Sequence, residues 1–507
     1  MNILNAFHNH AQRAPDRLAL VIDDRTYTFG EAREEVSRLA GGLAALGVEK
    51  GDRVALMLPN SAEFVWATYA AWWLGAAQVA INVMYKERET EHLLRDSGAK
   101  AVVTAPEYLP IVEAVRASVP ELRHTVVVGN AAEGLSYTQV MASGSPVPRP
   151  VHMKEDDLAL IAYTSGTTGL PKGAMLTHGN FIFQTETYRT YLGLGPEDHA
   201  LSCLPLFLLS ILSTGPVTAH YLGATSIIQR RFEARQFAAL LRRYRPTWLG
   251  ATVPTMYHDL ARLPEEELDL SSVRYASVGG APMPAPQRRE FEAKFGFRLT
   301  YAYGSTETCG HVTMDPFDRP PKENSPGVAL PGRSMEVVDE KGNPVPPGVV
   351  GEICLQGPHI MKGYWNLPEV NEKVFRDGWF HTSDLGYVDE EGFLYIVDRV
   401  QDVINRGGFK IFPIEVEKVL YEDPRVLECA VVASPDPRLG EVPKAFIVLK
   451  QGATATAEEF IQLARRHLAN YKVPVEVEFR ESLPKSPLQK ILRRELRREE
   501  RIRKGVE

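Results

Sequence analysis

At 507 residues the chain exceeds the roughly 250–300 residues at which one hydrophobic core stops growing, so at least two domains are expected. Hydrophobic residues at 44% and charged residues at 24% are ordinary for a globular protein. The 57 Lys and Arg against 64 Asp and Glu leave a net charge of -7, which argues against a nucleic-acid partner held on a basic surface.

Residues 1–20 carry no uninterrupted apolar run and no small-residue cleavage site, so a cytoplasmic protein is expected rather than a secreted one. Residues 29–46 place apolar side chains near helical spacing. Residues 53–58, 101–104, 124–128 and 158–163 read as short buried strands. This alternation predicts an α/β fold of layered subdomains around mostly parallel sheets. Two uncharged stretches, 65–85 and 201–229, are broken by Gly75, Gln78 and Asn82 and by Pro205, Pro216 and Gly223. Both therefore read as buried core, and no membrane span is expected.

The strand at 158–163 leads directly into YTSGTTGLPKGAMLTHGN, residues 163–180. Here Thr164, Ser165, Thr167 and Thr168 are interleaved with Gly166, Gly169 and Gly173 around one cation, Lys172. Glycines let backbone N–H groups converge on an anion, hydroxyls add donors, and the lysine adds charge: the chemistry of a polyphosphate cradle. It is not a Walker A loop, because Pro171 stands where that pattern has glycine and no Ser or Thr follows Lys172. Asn180 is the expected N-cap of a helix over 181–191.

Residues 327–364 are dense in Pro and Gly with short strands at 336–338 and 352–355, predicting a β-rich subdomain. A turn at 390–392 returns the chain as a strand over 393–397. The domain boundary is expected at 399–402, giving a large domain over 1–399 and a small mobile α+β domain over 400–507. In the latter, Pro413 starts a helix, 426–433 and 444–449 are strands, and 457–469 is a helix. The Arg/Glu-rich tail, 493–504, reads as a solvated helix. Cys203, Cys309, Cys354 and Cys429 are far apart without CxxC spacing, which predicts buried free thiols.

The phrase at 163–180 resembles the signature loop of the adenylate-forming enzymes, among them acyl-CoA synthetases, aryl-CoA ligases, luciferases and peptide-synthetase adenylation domains. SVGGAPMP (277–284), YGSTETCG (303–310), GWFHTSDLGYVDEEGFLYIVDR (378–399) and LPKSPLQKILRREL (483–496) follow in the family's order. The resemblance implies an enzyme that uses ATP, Mg2+ and CoA to activate a carboxylic acid. It assigns Glu307 as the magnesium-associated carboxylate and Thr306 as a phosphate-contacting hydroxyl. Tyr303 and Gly304, with Gly280, Ala281 and Pro282, are placed around adenine. Asp384 becomes the ribose ligand, and Arg399 lies near ribose and phosphate. Lys490 corresponds to the lysine that acts on the adenylation transition state, although Gln489 replaces the family's usual glycine before it. In the family the small domain swings about a hinge, here Gln401, and presents a glycine-rich loop, here Gly407 and Gly408, to the pantetheine thiol.

The same resemblance places Phe207, Leu208, Leu209, Val253, Met256, Gly279 and His311 around the acid. No acidic residue is available there for a substrate ammonium, and burying one would be costly. A medium- or long-chain fatty acid is therefore expected, with a cinnamate- or benzoate-type acid as the alternative and His311 as the polar exception. Loading of a carrier protein is a further alternative, though the residues after Lys490 leave no room for a carrier module. The homodimeric state is left open.

Overall fold

The helix Ala62–Leu74 has no polar face: Trp66, Tyr69, Trp72 and Trp73 are all buried. A helix apolar on every side must sit between layers rather than on a surface. Each of those rings removes ~150–250 Å² from water, about 4–6 kcal/mol of transfer free energy. In the computed structural model, which describes residues 2–130, 133–164, 170–280, 283, 285–486 and 491–506, this helix follows the strand Arg53–Met57 and leads into Ala77–Ala80. Those two strands pair in parallel, so the helix is their crossover.

Among the described residues there are four sheets. One has seven strands in the order Leu135–Ser136, His124–Val127, Ala101–Thr104, Arg53–Met57, Ala77–Ala80, Leu158–Thr164 and Lys172–Thr177. Its pairings are parallel except the last, where Leu158–Thr164 and Lys172–Thr177 run antiparallel. The second, of nine strands, runs Val328–Ala329, Gly310–Met314, Thr300–Ser305, Tyr275–Val278, Trp248–Leu249, His199–Ser202, Thr225–Ile228, Leu18–Ile22 and Arg25–Thr28. These layers confirm the α/β expectation for the large N-terminal part.

The β-rich sheet joins Ser334–Val338, Gly351–Gln356, Trp379–Val388, Phe375–Arg376 and Leu394–Arg399. The chain leaves it at Arg399 and enters the small C-terminal sheet at Ile404–Arg406, which pairs with Phe409–Ile411 and Gly440–Leu449. Helices Pro413–Leu420 and Ala457–His467 share a buried core with that sheet.

Two local expectations are corrected. The helix after the phosphate loop begins at His178, and its N-cap is Thr177, whose hydroxyl accepts from the Asn180 N–H at 3.2 Å. Asn180 occupies the third helical position and its side chain accepts from the Thr177 N–H at 2.8 Å, so a capping box replaces the single cap. The tail helix Arg493–Arg503 is docked, not merely solvated: Leu496 and Glu500 are buried against the strand Val426–Asp436. There Glu500 pairs at 2.6 Å with the buried Lys444, which also meets Glu478 at 2.6 Å and Glu476 at 3.0 Å. All four cysteines are buried and free.

Candidate active site

The strands on either side of the phosphate loop, Leu158–Thr164 and Lys172–Thr177, run antiparallel. Thr164 lies opposite Lys172 in the antiparallel pair, and its hydroxyl donates to the Lys172 carbonyl at 3.4 Å. Ser165, Gly166, Thr167, Thr168 and Gly169 lie outside the described residues. Lys172 Nζ stands 4.7 Å above the ring of Tyr364, and the Tyr364 hydroxyl donates to Glu307 Oε1 at 2.8 Å. Burial and the Glu307 carboxylate push the Tyr364 phenol far above its ordinary range, so it stays a proton donor. Backbone bonds hold this bridge in place. The Met361 N–H donates to the Glu307 carbonyl, Met175 N–H to the Gly363 carbonyl, and Trp365 N–H to the Gly173 carbonyl.

Tyr364 was not anticipated from the sequence. Its signal was an aromatic pair, Tyr364–Trp365, at the end of the Pro/Gly-rich segment, where solvent-exposed turns need no large rings.

Glu307 and Thr306 begin a single 3₁₀ turn, Thr306–Thr308, capped by Ser305 rather than by either of them. That leaves the Glu307 carboxylate free of capping duty. Gly304 precedes this turn at a bulge in the strand Thr300–Ser305, with its Cα opposite His311. A Cβ on Gly304 would lie 2.0 Å from the Gly310 carbonyl oxygen, so only glycine fits. One residue earlier, the Tyr303 hydroxyl donates to Asp384 Oδ2 at 2.7 Å, while Arg399 Nε donates to Asp384 Oδ1 at 3.0 Å. Asp384 and Arg399 are cross-strand partners, so strand register itself aligns the ion pair. The Arg399 guanidinium is raised above its usual range, chiefly by Asp384. Gly279 and Gly280 follow the strand Tyr275–Val278; Ala281 and Pro282 lie outside the described residues.

In the small domain, Gly407 and Gly408 form the turn between Ile404–Arg406 and Phe409–Ile411 with φ of +58° and +94°, a conformation that favours glycine. Lys410 pairs with Glu340 at 2.5 Å. Among the described residues no hydrogen bond or ion pair joins this turn to Lys172, Glu307 or Asp384. Lys490 lies outside the described residues.

Around the expected acyl site, Leu209, Val253 and Met256 are buried, and Phe207 and Leu208 half-buried. Cys203 Sγ lies 3.7 Å from Met256 Sδ in the same apolar layer. The wall beside His311 is different. His311 Nδ1 shares a hydrogen bond with the Tyr188 hydroxyl at 3.0 Å, and burial pushes the imidazole down to about 4, so it is neutral at pH 7. The His311 carbonyl accepts from Nε of Arg333, a buried guanidinium that also donates to Gln184 Oε1 at 2.5 Å and to Thr187 Oγ1 at 3.1 Å. No carboxylate pairs with Arg333 among the described residues; burial lowers it to about 10, and it keeps its charge at neutral pH. Among the described residues Gln184 Nε2 and Ser213 Oγ are buried without a well-aligned hydrogen bond, although Gln184 lies beside the Tyr188 hydroxyl and Ser213 beside the Cys309 thiol. A Cβ on Gly310 would meet Gln184 Nε2 at 3.2 Å, so the free amide N–H₂ abuts the strand that carries His311. His311, the expected polar exception, is thus accompanied by Arg333, Gln184 and Ser213.

A cation over a tyrosine, a carboxylate bonded to that tyrosine, and a Tyr–Asp–Arg triad define a site suited to a nucleoside polyphosphate. Residues 7–365 match the model of the AMP-binding enzyme family, and residues 415–490 match the AMP-binding enzyme C-terminal domain. The chain belongs to the AMP-binding enzyme family of adenylate-forming acid–CoA ligases. It is 38% identical over 490 residues to feruloyl-CoA synthase from Amycolatopsis sp, covering 96% of this chain and 97% of that protein. It is 34% identical over 523 residues to a long-chain-fatty-acid–CoA ligase from Bacillus subtilis (strain 168), covering 97% and 93%. ATP-bound MatB from Rhodopseudomonas palustris superposes with a TM-score of 0.92 at 32% identity, covering 99% of this chain and 100% of that one. No helix is long and apolar enough to cross a membrane among the described residues.

Proposed function

We propose that the chain joins its acid to CoA in two displacements. In the first, a carboxylate oxygen attacks the α-phosphorus of ATP and the bond to pyrophosphate breaks. In the second, the CoA sulfur attacks the acyl carbonyl, the carbon–oxygen bond to AMP breaks, and the thiol proton passes to solvent. The observation that carries this reading is the convergence of Lys172, Tyr364 and Glu307 on one spot. In this reading Lys172 and Lys490 supply positive charge where the polyphosphate accumulates negative charge. Tyr364 holds Glu307 Oε1 and leaves Oε2 without a protein partner among the described residues. A single open carboxylate oxygen fits Mg2+, which is commonly bound by one or two carboxylates plus substrate phosphates. Bound there, the ion neutralises phosphate charge. Asp384 offers its remaining lone pairs to the ribose hydroxyls, and the Tyr303 ring gives adenine a flat apolar face. The hinge lies within 399–402, and Gly407 and Gly408 line the path of the pantetheine arm.

For the acid, the unpaired polar atoms favour one reading. A buried donor or acceptor left without a partner costs about 1–3 kcal/mol. Among the described residues Gln184 Nε2 and Ser213 Oγ carry that cost, beside a buried Arg333 with no carboxylate partner there. A hydroxyl, methoxyl or carbonyl oxygen at the far end of the acid would relieve it; a polymethylene chain would not. We therefore favour an aryl or arylalkenyl acid with a polar substituent, the class named for the feruloyl-CoA synthase relative. An unbranched fatty acid is the second reading, supported by Phe207, Leu208, Leu209, Val253 and Met256. The test is pyrophosphate release with ATP, Mg2+ and CoA across ferulate, coumarate, benzoate, octanoate and palmitate. Formation of ADP and phosphate in place of AMP and pyrophosphate would refute the two-step chemistry.

A further inference from the structure

On the β-rich sheet, three side chains crowd one imidazole nitrogen, that of His381, three residues before Asp384. Glu352 and Cys354 are two apart on the strand Gly351–Gln356 and so share a face, and Cys354 lies directly opposite His381 on Trp379–Val388. His381 Nδ1 is 2.6 Å from Arg376 Nη2, 2.9 Å from Glu352 Oε2 and 3.2 Å from Cys354 Sγ. A ring nitrogen is either one donor or one acceptor. If it accepts from Arg376, its lone pair faces a carboxylate; if it donates to Glu352, its proton faces a guanidinium. Arg376 Nη2 also lies 3.2 Å from Glu352 Oε2, so in the free protein the guanidinium is the cation that bridges ring nitrogen and carboxylate.

The place the guanidinium holds is also one that a metal cation can take. The imidazole nitrogen, sulfur and carboxylate oxygen all lie within 4.8 Å of one another. Bonds of ~2.0–2.3 Å in a tetrahedron need ligand atoms about 3.3–3.7 Å apart, so the Nδ1 spacings of 2.9 Å to Glu352 Oε2 and 3.2 Å to Cys354 Sγ need only a small opening. We propose that Glu352, Cys354 and His381 form a binding site for a thiophilic divalent cation of the Zn2+ class, with water as fourth ligand. Binding makes the metal–sulfur bond as the Cys354 S–H proton leaves to solvent, and Arg376, whose side chain is 48% exposed, swings out. Arg376 is thus the built-in competitor of the metal. The ligand is the thiolate, so one proton is released for each ion taken up.

The site has a structural reach. Glu352 Oε1 accepts from the Ser383 N–H at 3.1 Å, and Ser383 has a left-handed φ of +61° immediately before Asp384. An ion held by Glu352 Oε2 would brace the backbone turn that presents Asp384. Cation binding itself stands independently of the proposed reaction.

The experiment uses the full chain without a polyhistidine tag, stripped with EDTA and titrated with Cd2+ while the ultraviolet sulfur-to-cadmium charge-transfer band is followed. Zn2+ is then titrated against a chromophoric chelator. One equivalent should bind, with the band absent in Cys354→Ser and affinity at least about 100-fold weaker in His381→Gln. Arg376→Ala should bind several-fold more tightly, a direction that a purely structural cluster gives no reason to expect. Thermal melts of each variant check folding, and Arg376→Ala decides the matter if Cys354→Ser does not fold. Absence of the band in the unmodified chain, its persistence in Cys354→Ser, or unchanged affinity in Arg376→Ala would overturn the proposal.

Discussion

The hydroxyl of Tyr303 donates to Asp384 Oδ2 at 2.7 Å, joining the ring expected beneath adenine to the carboxylate expected on ribose. These residues come from different sheets, Tyr303 at the end of a strand in the nine-stranded sheet and Asp384 in the β-rich one. Arg399 holds the other oxygen. The carboxylate is therefore aimed before any ligand arrives, which reduces the ordering required on binding.

Removing that hydroxyl while keeping the ring separates the two roles. Tyr303→Phe should raise KM for ATP about 2- to 10-fold, the worth of one hydrogen bond of ~0.5–1.5 kcal/mol, with little change in kcat. Asp384→Ala should weaken ATP further. Steady-state pyrophosphate release at varied ATP measures both. An unchanged KM in both variants would remove the triad from the nucleotide site.

The two half-reactions should separate by mutation. Lys490→Ala removes a charge acting on the phosphorus and should slow adenylation by about 10²–10³, while sparing thioester formation from supplied acyl-adenylate. Gly408→Leu places a side chain at φ +94° in the turn assigned to pantetheine and should damage the second step instead. Single-turnover assays of each step distinguish these. Equal damage to both steps in both variants would count against a swinging domain.

The fold was legible where local periodicity and burial agree. Strand 101–104 and the buried stretch 65–85, which folds as a helix and then a strand, were read correctly as core, since apolar runs and the break at Gly75 leave few alternatives. Caps were harder: Thr177 and Asn180 are both good capping residues, and which one ends the strand depends on pairing with Leu158–Thr164. Side-chain partnerships were the least legible. Tyr364–Glu307, Arg333–Gln184 and Cys354–His381 join residues far apart in the chain, and no spacing rule marks them. A lone arginine in a Pro/Gly-rich segment gives no sign that it will be buried without an acid.

A pH dependence follows from Asp398, at the exit of the β-rich sheet. Its carboxyl is pushed up to about 6 from an ordinary 3.8, first by burial, against the opposing pull of Arg493. It accepts from the Arg399 and Ile414 N–H groups at 2.8 and 3.1 Å. A carboxyl raised on folding binds its proton more tightly in the native state. Its contribution to stability is full below about pH 4 and is lost as pH rises through about 6. The Tm of the unmodified chain minus that of Asp398→Asn should therefore fall between pH 4 and pH 7. A difference that grows with pH would contradict the assignment.

The acid preference tests the buried polar wall. Gln184→Met keeps the side-chain volume but removes the free N–H₂ beside Gly310 and the acceptor used by Arg333. If a substrate oxygen completes this wall, kcat/KM for ferulate or coumarate should drop about 5- to 100-fold, corresponding to ~1–3 kcal/mol for an unsatisfied buried group. Octanoate should lose little, because a methylene chain makes no such bond. The chain-length profile gives a second, independent reading. A pocket built for fatty acids gains up to ~0.8 kcal/mol per buried methylene until it is full, so kcat/KM would climb steadily from butyrate to palmitate. A wall built for an aryl acid would leave that profile flat or falling. In a fatty-acid pocket, Leu208→His should depress long acids more than short ones, since only a long chain loses the apolar contact. A rising profile together with an unaltered aryl rate in Gln184→Met would return the assignment to fatty acids.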